Sequence, residues 1–298
     1  MTTGARRAGG EVGRLPPGSA PGGGLARPPR RSTGFVFVLP LLLVMGVCFN
    51  VPIVLMLAWS VKNPTLTPRH YQEFFATSVY LKVFWNTVRI ALVTTAVCVP
   101  LGYPLAYWIR FLPAGRRLVA LALVVLPFWV SILVRTYAWI VLLGNAGLVN
   151  RMLLRLGVIE SPLGILYNEL GVIIGTVNVL LPFFVLPLLA SMARIDDRLL
   201  QAAASLGASA RTIFWRVFFP LTVPAVSAGA ILVFILTLGF YVTPAILGGG
   251  RVTMIANMLD LLINQLPDWE LAATISTVLL VVVLSCYSMS RWLRNRAV

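Results

Sequence analysis

Six apolar runs, each at least about 20 residues long, constrain this chain more than any other feature. A helix needs a run of that length to cross the hydrocarbon core of a bilayer. The chain is 59% hydrophobic and 11% charged, whereas a soluble domain is nearer half apolar and a quarter charged. Short segments of alternating polarity, which indicate a transmembrane β-barrel, are not seen. We therefore predict an all-α, polytopic membrane helix bundle with six transmembrane helices, over about residues 35–61, 84–109, 118–143, 170–192, 223–247 and 271–292.

The positive charges indicate how these helices are oriented. The formal net charge is +15, and sixteen of the 24 lysines and arginines lie in residues 1–33, 110–117, 194–216 and 291–296. All four segments lie on one side of a six-span bundle, so the positive-inside rule places both termini in the cytoplasm. The connections on the other side hold most of the acids: Glu73, Glu160, Glu169, Asp260, Asp268 and Glu270. Because the cations lie between membrane spans, the charge indicates topology and not a nucleic-acid partner.

The first 33 residues differ from the rest of the chain in composition. They are rich in glycine, proline and arginine, and cannot bury enough apolar surface to fold. We expect residues 1–33 to form a disordered, basic cytoplasmic tail and residues 34–298 to form a single transmembrane domain. The three cysteines, Cys48, Cys98 and Cys286, fall inside apolar runs, so neither a disulfide framework nor a metal site is expected.

The connection between the fourth and fifth apolar runs has a pattern of its own. Asp196 and Asp197 suit the first turn of a helix, because the helix dipole favours acids there. Gly207 permits a sharp change of direction, Ser209 can cap a second helix, and Pro220 introduces the next apolar run. The sequence therefore predicts two short amphipathic helices joined at a glycine. Such an element either docks in the groove of a partner protein or lies on the lipid surface, and amphipathicity alone leaves both interpretations open.

The spacing of this connection resembles the EAA loop of ABC importer permeases. The family pattern is Glu-Ala-Ala, three residues, Gly, nine residues, and then Ile-x-Leu-Pro. Here residues 201–203 read Gln-Ala-Ala, Gly207 follows after three residues, and residues 217–220 read Val-Phe-Phe-Pro. Gln201 replaces the family glutamate, which removes the charge that an ion pair with the ATPase would use. The resemblance implies a coupling loop with these key residues: Asp196, Asp197, Gln201, Ala202, Ala203, Gly207, Ala208, Ser209, Phe214 and Pro220.

Further stretches resemble the polyamine (spermidine/putrescine) branch of these permeases, and the similarity runs over about residues 35–293. The stretches that carry it are residues 86–87, 102–107, 127–129, 134–139, 147–150, 240–244 and 247–249. Membership of this branch implies a fold like that of type I ABC importers and a location in the bacterial inner membrane.

The resemblance also implies which partners the chain has. They are a second homologous permease, two ATP-binding subunits that dock on the coupling loops, and a periplasmic or lipid-anchored substrate-binding protein, all within membrane lipid. The chain lacks the G-x-x-x-x-G-K-[ST] phosphate loop, so ATP and Mg are expected to be used by the partner ATPase. We expect no cofactor, no metal and no catalytic residue in this chain, which would be the pore-forming subunit.

A polyamine that passes through such a pore needs carboxylates or aromatic faces to replace its water. The candidates for this path are Trp129, Tyr137, Trp139, Phe240, Tyr241, Glu169 and Asp260. Aromatic residues near span ends also serve as interface anchors, so that interpretation stays open. Arg135 lies within an apolar run, and we expect it to bind backbone carbonyls or an acid of the partner permease.

Two other classes of protein compete with this interpretation. An ion-coupled secondary carrier would hold an acid near the centre of a span, and none of the six runs does. A membrane enzyme would need an acid–base or nucleophile motif, and the chain has one histidine and no such motif. Within the ABC permeases, an amino-acid derivative, a phosphonate or another organic cation remains an alternative cargo.

Overall fold

The computed structural model describes residues 31–63, 65–66 and 68–296. Most of the expected tail, residues 1–33, lies outside the described residues, and its expected disorder stays a prediction. Within the described part of the chain, six helical stretches are long and apolar enough to cross a membrane, which confirms the predicted number of spans. These stretches are Val38–Trp59, Ser78–Arg110, Ile132–Arg155, Glu169–Met192, Ala210–Leu238 and Trp269–Met289.

The described part of the chain divides into two compact units, with the boundary between Pro52 and Ile53. In the first unit, helix α1 (Arg31–Met45) runs into a π-helical turn (Gly46–Asn50). Helix α2 (Val51–Trp59) begins in the first unit and ends in the second.

The second unit opens with short elements that lead into the longest membrane helices. Strands β1 (Lys62–Asn63) and β2 (Thr65–Leu66) pair antiparallel and are followed by α3 (Arg69–Ala76). Helix α4 (Ser78–Arg110) has 33 residues and would be about 50 Å long at 1.5 Å per residue. It therefore exceeds the hydrocarbon core of about 30 Å by several turns.

The third predicted span is broken into separate helices. Helix α5 (Ala114–Trp129) ends at Val130 and Ser131, which are extended, and α6 (Ile132–Leu143) follows. The prediction of one continuous helix over residues 118–143 is therefore wrong at this point. A tight turn then leads to α7 (Leu148–Arg155).

The remaining helices follow the predicted order, with one further difference. They are α8 (Glu169–Met192), α9 (Asp197–Ser205), α10 (Ala210–Ile213), a π-helical turn (Phe214–Phe218), α11 (Phe219–Leu238), α12 (Val242–Leu247), α13 (Ile255–Asn264) and α14 (Trp269–Arg296). The fifth predicted span, 223–247, is not one helix, because residues 239–241 separate α11 from α12.

Helices α4, α8 and α11 pack against one another and form the main core of the second unit. Phe184 of α8 is fully buried between Gly102 of α4 and Gly229 of α11. A Cβ atom on Gly102 would lie 2.5 Å from the Phe184 ring, and one on Gly229 would lie 2.9 Å from it. Small residues thus let the three helices approach closely around one aromatic ring, as membrane helices commonly do.

Buried polar residues fix the connections at the ends of the helices. Asn150 of α7 is fully buried, and its Nδ2 donates to the carbonyls of Gly144 at 3.0 Å and Leu163 at 3.1 Å. Its Oδ1 accepts from the Leu163 amide at 2.8 Å. Asn150 therefore joins the turn before α7 to the loop after it.

Candidate functional site

The segment between α8 and α11 is a helix–turn–helix whose ends are capped as the sequence predicts. The Asp196 Oδ1 accepts from the Arg198 amide at 2.9 Å and caps α9. The Ser209 Oγ accepts from the Thr212 amide at 3.3 Å and caps α10. Between them, Gly207 has a φ of +82°, in the left-handed region that glycine adopts without strain. We call residues 196–220 the helical loop.

Arg110, the last residue of α4, anchors the start of this helical loop. Its Nε donates to the Met192 carbonyl and its Nη2 donates to the Ile195 carbonyl, both at 2.8 Å. The Nη2 also lies 2.9 Å from the Asp197 carboxylate of α9. The guanidinium thus binds carbonyls at the end of α8, which have no partner within the helix, and joins α4, α8 and α9.

Aromatic packing holds the second half of the helical loop against α4. The Phe214 ring lies 5.3 Å from the Tyr107 ring, and the Phe218 ring lies 5.2 Å from it. The Arg110 guanidinium lies 5.0 Å from the Phe218 ring, within the range of a cation–π contact. The predicted position Phe214 is therefore part of the attachment of the loop, and Pro220 lies in the first turn of α11.

Two leucines, one in α9 and one at its C-cap, are more than half exposed among the described residues. Leu206 is 88% exposed and Leu199 is 52% exposed. The predicted positions Gln201 and Ala202 are also exposed, whereas Ala203 and Ala208 are half-buried. Exposed leucines on a helix whose start is bound to α4 by Arg110 form a surface suited to a partner's groove.

Two predicted path residues, Tyr241 just before α12 and Asp260 within α13, contact each other. The Tyr241 hydroxyl donates to the Asp260 Oδ2 at 3.1 Å, and the Asn264 Nδ2 donates to the Asp260 Oδ1 at 2.7 Å. The Asn257 Nδ2 donates to the Tyr241 carbonyl at 3.1 Å. Because the carboxylate accepts this hydrogen bond and its charge opposes a second negative charge, the pKa of Tyr241 is raised above its usual value. We call Tyr241, Asn257, Asp260 and Asn264 the acidic cluster.

The acidic cluster lies toward the end of the bundle that is remote from Arg110. The Ile255 amide at the start of α13 donates to the Thr87 Oγ1 at 2.9 Å, so α13 begins beside the first third of α4. Arg89, in the same part of α4, pairs with Glu169 at the start of α8. Because Arg110 binds the other end of α8, α4 and α8 run parallel and separate the acidic cluster from the helical loop.

The other predicted path residues do not join this cluster. Glu169 is already paired with Arg89. The Trp139 Nε1 is 3.5 Å from the Asn178 Oδ1 of α8, while Trp129 and Tyr137 are exposed, and Phe240 is half-buried. Among the described side chains, no hydrogen bond or ring contact links Trp129, Tyr137 or Trp139 to the acidic cluster.

Arg135 binds the backbone where the third span is broken. Its Nη2 donates to the Pro127 carbonyl and to the Val130 carbonyl, the latter at 3.0 Å. Both carbonyls lie at the end of α5, and the Pro127 carbonyl also accepts from the Val130 amide at 3.2 Å. Arg135 thus supplies a donor where the following residues do not continue the helix, and a backbone group without a donor would be costly in a bilayer. We expected Arg135 to bind either backbone carbonyls or an acid of the partner permease. The structure confirms the first of these, the backbone carbonyls.

Known proteins resemble this chain in sequence. The chain is 37% identical over 238 residues to the spermidine/putrescine transport system permease protein PotB of Haemophilus influenzae, covering 78% of this chain and 82% of that protein. The chain belongs to this family of ABC transporter permeases. PotB of Escherichia coli K12 is likewise 37% identical, over 69% of this chain and 74% of that protein. No protein-family model matches the chain.

A solved structure supports the fold of this permease independently. A subunit in the crystal structure of a bacterial ABC transporter that imports the acidic polysaccharide alginate superposes with a TM-score of 0.71. The match covers 88% of this permease and 96% of that chain, at 20% identity. The permease is thus an all-α subunit with the fold of ABC importer permeases, and a multi-pass protein of the inner membrane.

Sequence reasoning missed the residue that holds the permease's helical loop in place. Arg110 was counted only among the cytoplasmic charges, although it contacts Met192, Ile195 and Asp197. The sequence does contain a sign of this contact. An arginine at the end of one span can pair with an acid just after another span when the two spans are neighbours. Of the acidic cluster, the sequence predicted Tyr241 and Asp260 as separate residues and did not predict Asn257 or Asn264.

Proposed function

We propose that this permease is a pore-forming subunit of an ATP-driven importer of polyamines, with both termini in the cytoplasm. The observation that carries the proposal is the 37% identity to two permeases named for spermidine and putrescine transport. The positive-inside distribution of arginines supports the orientation, because the helical loop and Arg110 then lie on the cytoplasmic side.

On the cytoplasmic side, the helical loop would receive the movement of a separate ATPase that binds ATP and Mg. The exposed leucines Leu199 and Leu206 provide an apolar surface for its groove. Gln201 is exposed on the same helix and can donate and accept hydrogen bonds where the family glutamate has a charge. Movement of α9 would reach α4 and α8 through Arg110, and so change which side of the pore is open.

A second homologous permease, a second copy of the ATPase and a substrate-binding protein complete the proposed assembly. The binding protein would release cargo at the outer end of the bundle, beside the acidic cluster. Asp260 offers a carboxylate and Tyr241 an aromatic face, which are the groups that an ammonium prefers when it loses water. A different organic cation would suit the same groups, whereas a phosphonate would be repelled by Asp260.

The experiment that tests the proposal is ATP-dependent uptake of putrescine into proteoliposomes that contain the permease with its ATPase, partner permease and binding protein. We expect uptake to require ATP and to weaken several-fold, through a raised KM, in Asp260→Asn. The exposed acid Glu160 supplies the matched control, and Glu160→Gln should transport normally. Uptake that does not depend on ATP would refute the ATP-driven importer. Uptake of another solute but not of putrescine would refute polyamines as the cargo.

A further inference from the structure

A basic pocket lies between α4 and the segment that precedes α13. It has a volume of about 470 Å³, and three cationic side chains line it: Lys82, Arg89 and Arg251. Val79, Val83, Trp85 and Asn86 complete the α4 side. The Asn86 Nδ2 donates to the Thr253 carbonyl at 3.0 Å and fixes the segment that carries Arg251 against α4.

The pocket has more cationic side chains than carboxylates that pair with them. Arg89 pairs with Glu169, but among the described side chains neither Lys82 nor Arg251 lies within 4 Å of a carboxylate. In the proposed orientation the pocket lies on the outer side, where the positive-inside rule predicts few cations. A cluster of three cations there, with two of them unpaired, is suited to an anionic ligand.

The depth of the pocket in the membrane follows from the length of α4. Arg110 lies at the cytoplasmic end, and about 20 residues, or roughly 30 Å, counted back from it cross the hydrocarbon core. The hydrocarbon therefore ends near residue 90, and Lys82, Trp85 and Arg89 lie at the level of the outer headgroups. An exposed tryptophan beside cations at this level is typical of the membrane interface.

A separate apolar groove lies farther along α4, toward the membrane centre. Leu92 lies two turns below Trp85 on the same face of α4, and it lines a groove of about 500 Å³ that α11 and α14 complete. The other residues of this groove are Thr95, Ala230, Ile231, Phe234, Ser285, Cys286 and Met289. A cationic pocket at headgroup level with an apolar groove below it matches a phosphate diester with its acyl chains.

We propose that this pocket binds an anionic phospholipid of the outer leaflet, with the phosphate on Lys82 and Arg251 and an acyl chain in the groove at Leu92. The inference rests on the proposed orientation of the permease. The pocket does not suit the cargo, because three cations repel a polyamine. An acidic surface of a soluble protein is less well matched, because it would leave the apolar groove empty.

The test measures lipid retention by the purified, delipidated complex with native mass spectrometry. Phosphatidylglycerol is the probe and phosphatidylcholine is its zwitterionic control. We expect the double variant Lys82→Gln and Arg251→Gln to retain phosphatidylglycerol about tenfold less well than wild type, because each cation near an anionic surface contributes to binding. Glutamine keeps the side chains long, and the Arg89–Glu169 pair is left intact.

The matched control is the double variant Arg151→Gln and Arg155→Gln, which removes two exposed cations of α7. It should retain phosphatidylglycerol within twofold of wild type. Equal retention by the Lys82/Arg251 variant would overturn the proposal, as would equal binding of the two lipids by wild type. Competition by millimolar glycerol phosphate would assign the pocket to free phosphates. Loss of binding-protein capture with unchanged lipid retention would assign it to an acidic protein. Because no cargo or ATP is present, failure here is separate from failure of the importer function.

Discussion

At the scale of single residues, Arg110 carries more contacts than its position in a basic loop would indicate. It binds two carbonyls, a carboxylate and an aromatic ring from segments that are remote in sequence. The pair with Asp197 is largely exposed on the acid's side and contributes little by itself. The hydrogen bonds to Met192 and Ile195 contribute more, because the side chain of Arg110 is only 6% exposed.

We predict that Arg110→Ala uncouples cargo from ATP hydrolysis. Two charge-assisted hydrogen bonds to carbonyls are lost, at about 2–4 kcal/mol of local stability, so that α9 can move without α4 and α8. The measurement is the ratio of cargo-stimulated to basal ATP hydrolysis in the assembled complex, which should fall toward one.

The controls for Arg110 separate coupling from loss of charge. Arg194→Ala removes an exposed cation just before the helical loop and should leave the ratio unchanged. Asp197→Asn removes only the exposed ion pair and should change the ratio of cargo-stimulated to basal ATP hydrolysis only slightly. An unchanged ratio in Arg110→Ala would show that α9 is held by other contacts.

Asn150 is a second residue whose side chain joins distant backbone segments. We predict that Asn150→Ala lowers the stability of the permease by about 2–4 kcal/mol, because it removes a fully buried side chain and three hydrogen bonds to the backbone of Gly144 and Leu163. Thermal unfolding of the purified complex measures this, with the exposed neighbour Asn145→Ala as the control. Equal melting temperatures for wild type and Asn150→Ala would show that these hydrogen bonds of Asn150 do not stabilise the permease.

The role of a residue was predictable from the sequence where it depends on neighbouring residues. It was not predictable where the contacting residue is remote in sequence. The caps at Asp196 and Ser209 follow from neighbouring residues and were predicted. Asn150 belonged to a stretch that resembles the family, but its buried hydrogen bonds depend on Leu163, thirteen residues later. Arg110 depends on contacts 82 to 87 residues away, which no local pattern contains.

At the scale of elements, the helical loop depends on the turn between α9 and α10. Gly207 has a positive φ, while a Cβ there would meet nothing within 4 Å. The constraint is therefore on the backbone and not on space, and substitutions should rank by their tolerance of the left-handed region.

We predict that Gly207→Val abolishes ATPase coupling while membrane insertion stays normal, because a β-branched residue strongly disfavours this conformation. Gly207→Asn is the matched variant, since asparagine tolerates the left-handed region, and it should retain most of the coupling. Cargo-stimulated ATP hydrolysis and the amount of permease in the membrane are measured together. Normal stimulation in Gly207→Val would refute the role of the turn.

The number of membrane elements was predictable from hydrophobicity, but their internal breaks were not. The hydropathy of residues 118–143 is continuous, so nothing in the composition marks the extended residues Val130 and Ser131. The break is stabilised by Arg135, which binds the carbonyls of Pro127 and Val130 at the end of α5. The break is thus explained by the contacts of Arg135 and not by the hydropathy of the run.

At the scale of the whole molecule, the permease separates two kinds of surface along parallel helices. The helical loop and Arg110 lie at one end of α4 and α8, and the Arg89–Glu169 pair and the acidic cluster lie toward the other. The tightly packed core around Phe184 connects the two ends. In the proposed importer, this core transmits the movement of the ATPase to the cargo side.

The most direct measurement of the central claim is uptake of radiolabelled putrescine and spermidine in cells with and without this gene. We predict an uptake that disappears on deletion and on ATP depletion, and that returns with the wild-type gene but not with Gly207→Val. Uptake that is equal with and without the gene would contradict polyamine as the cargo. Uptake restored fully by Gly207→Val would contradict the coupling of transport to the helical loop.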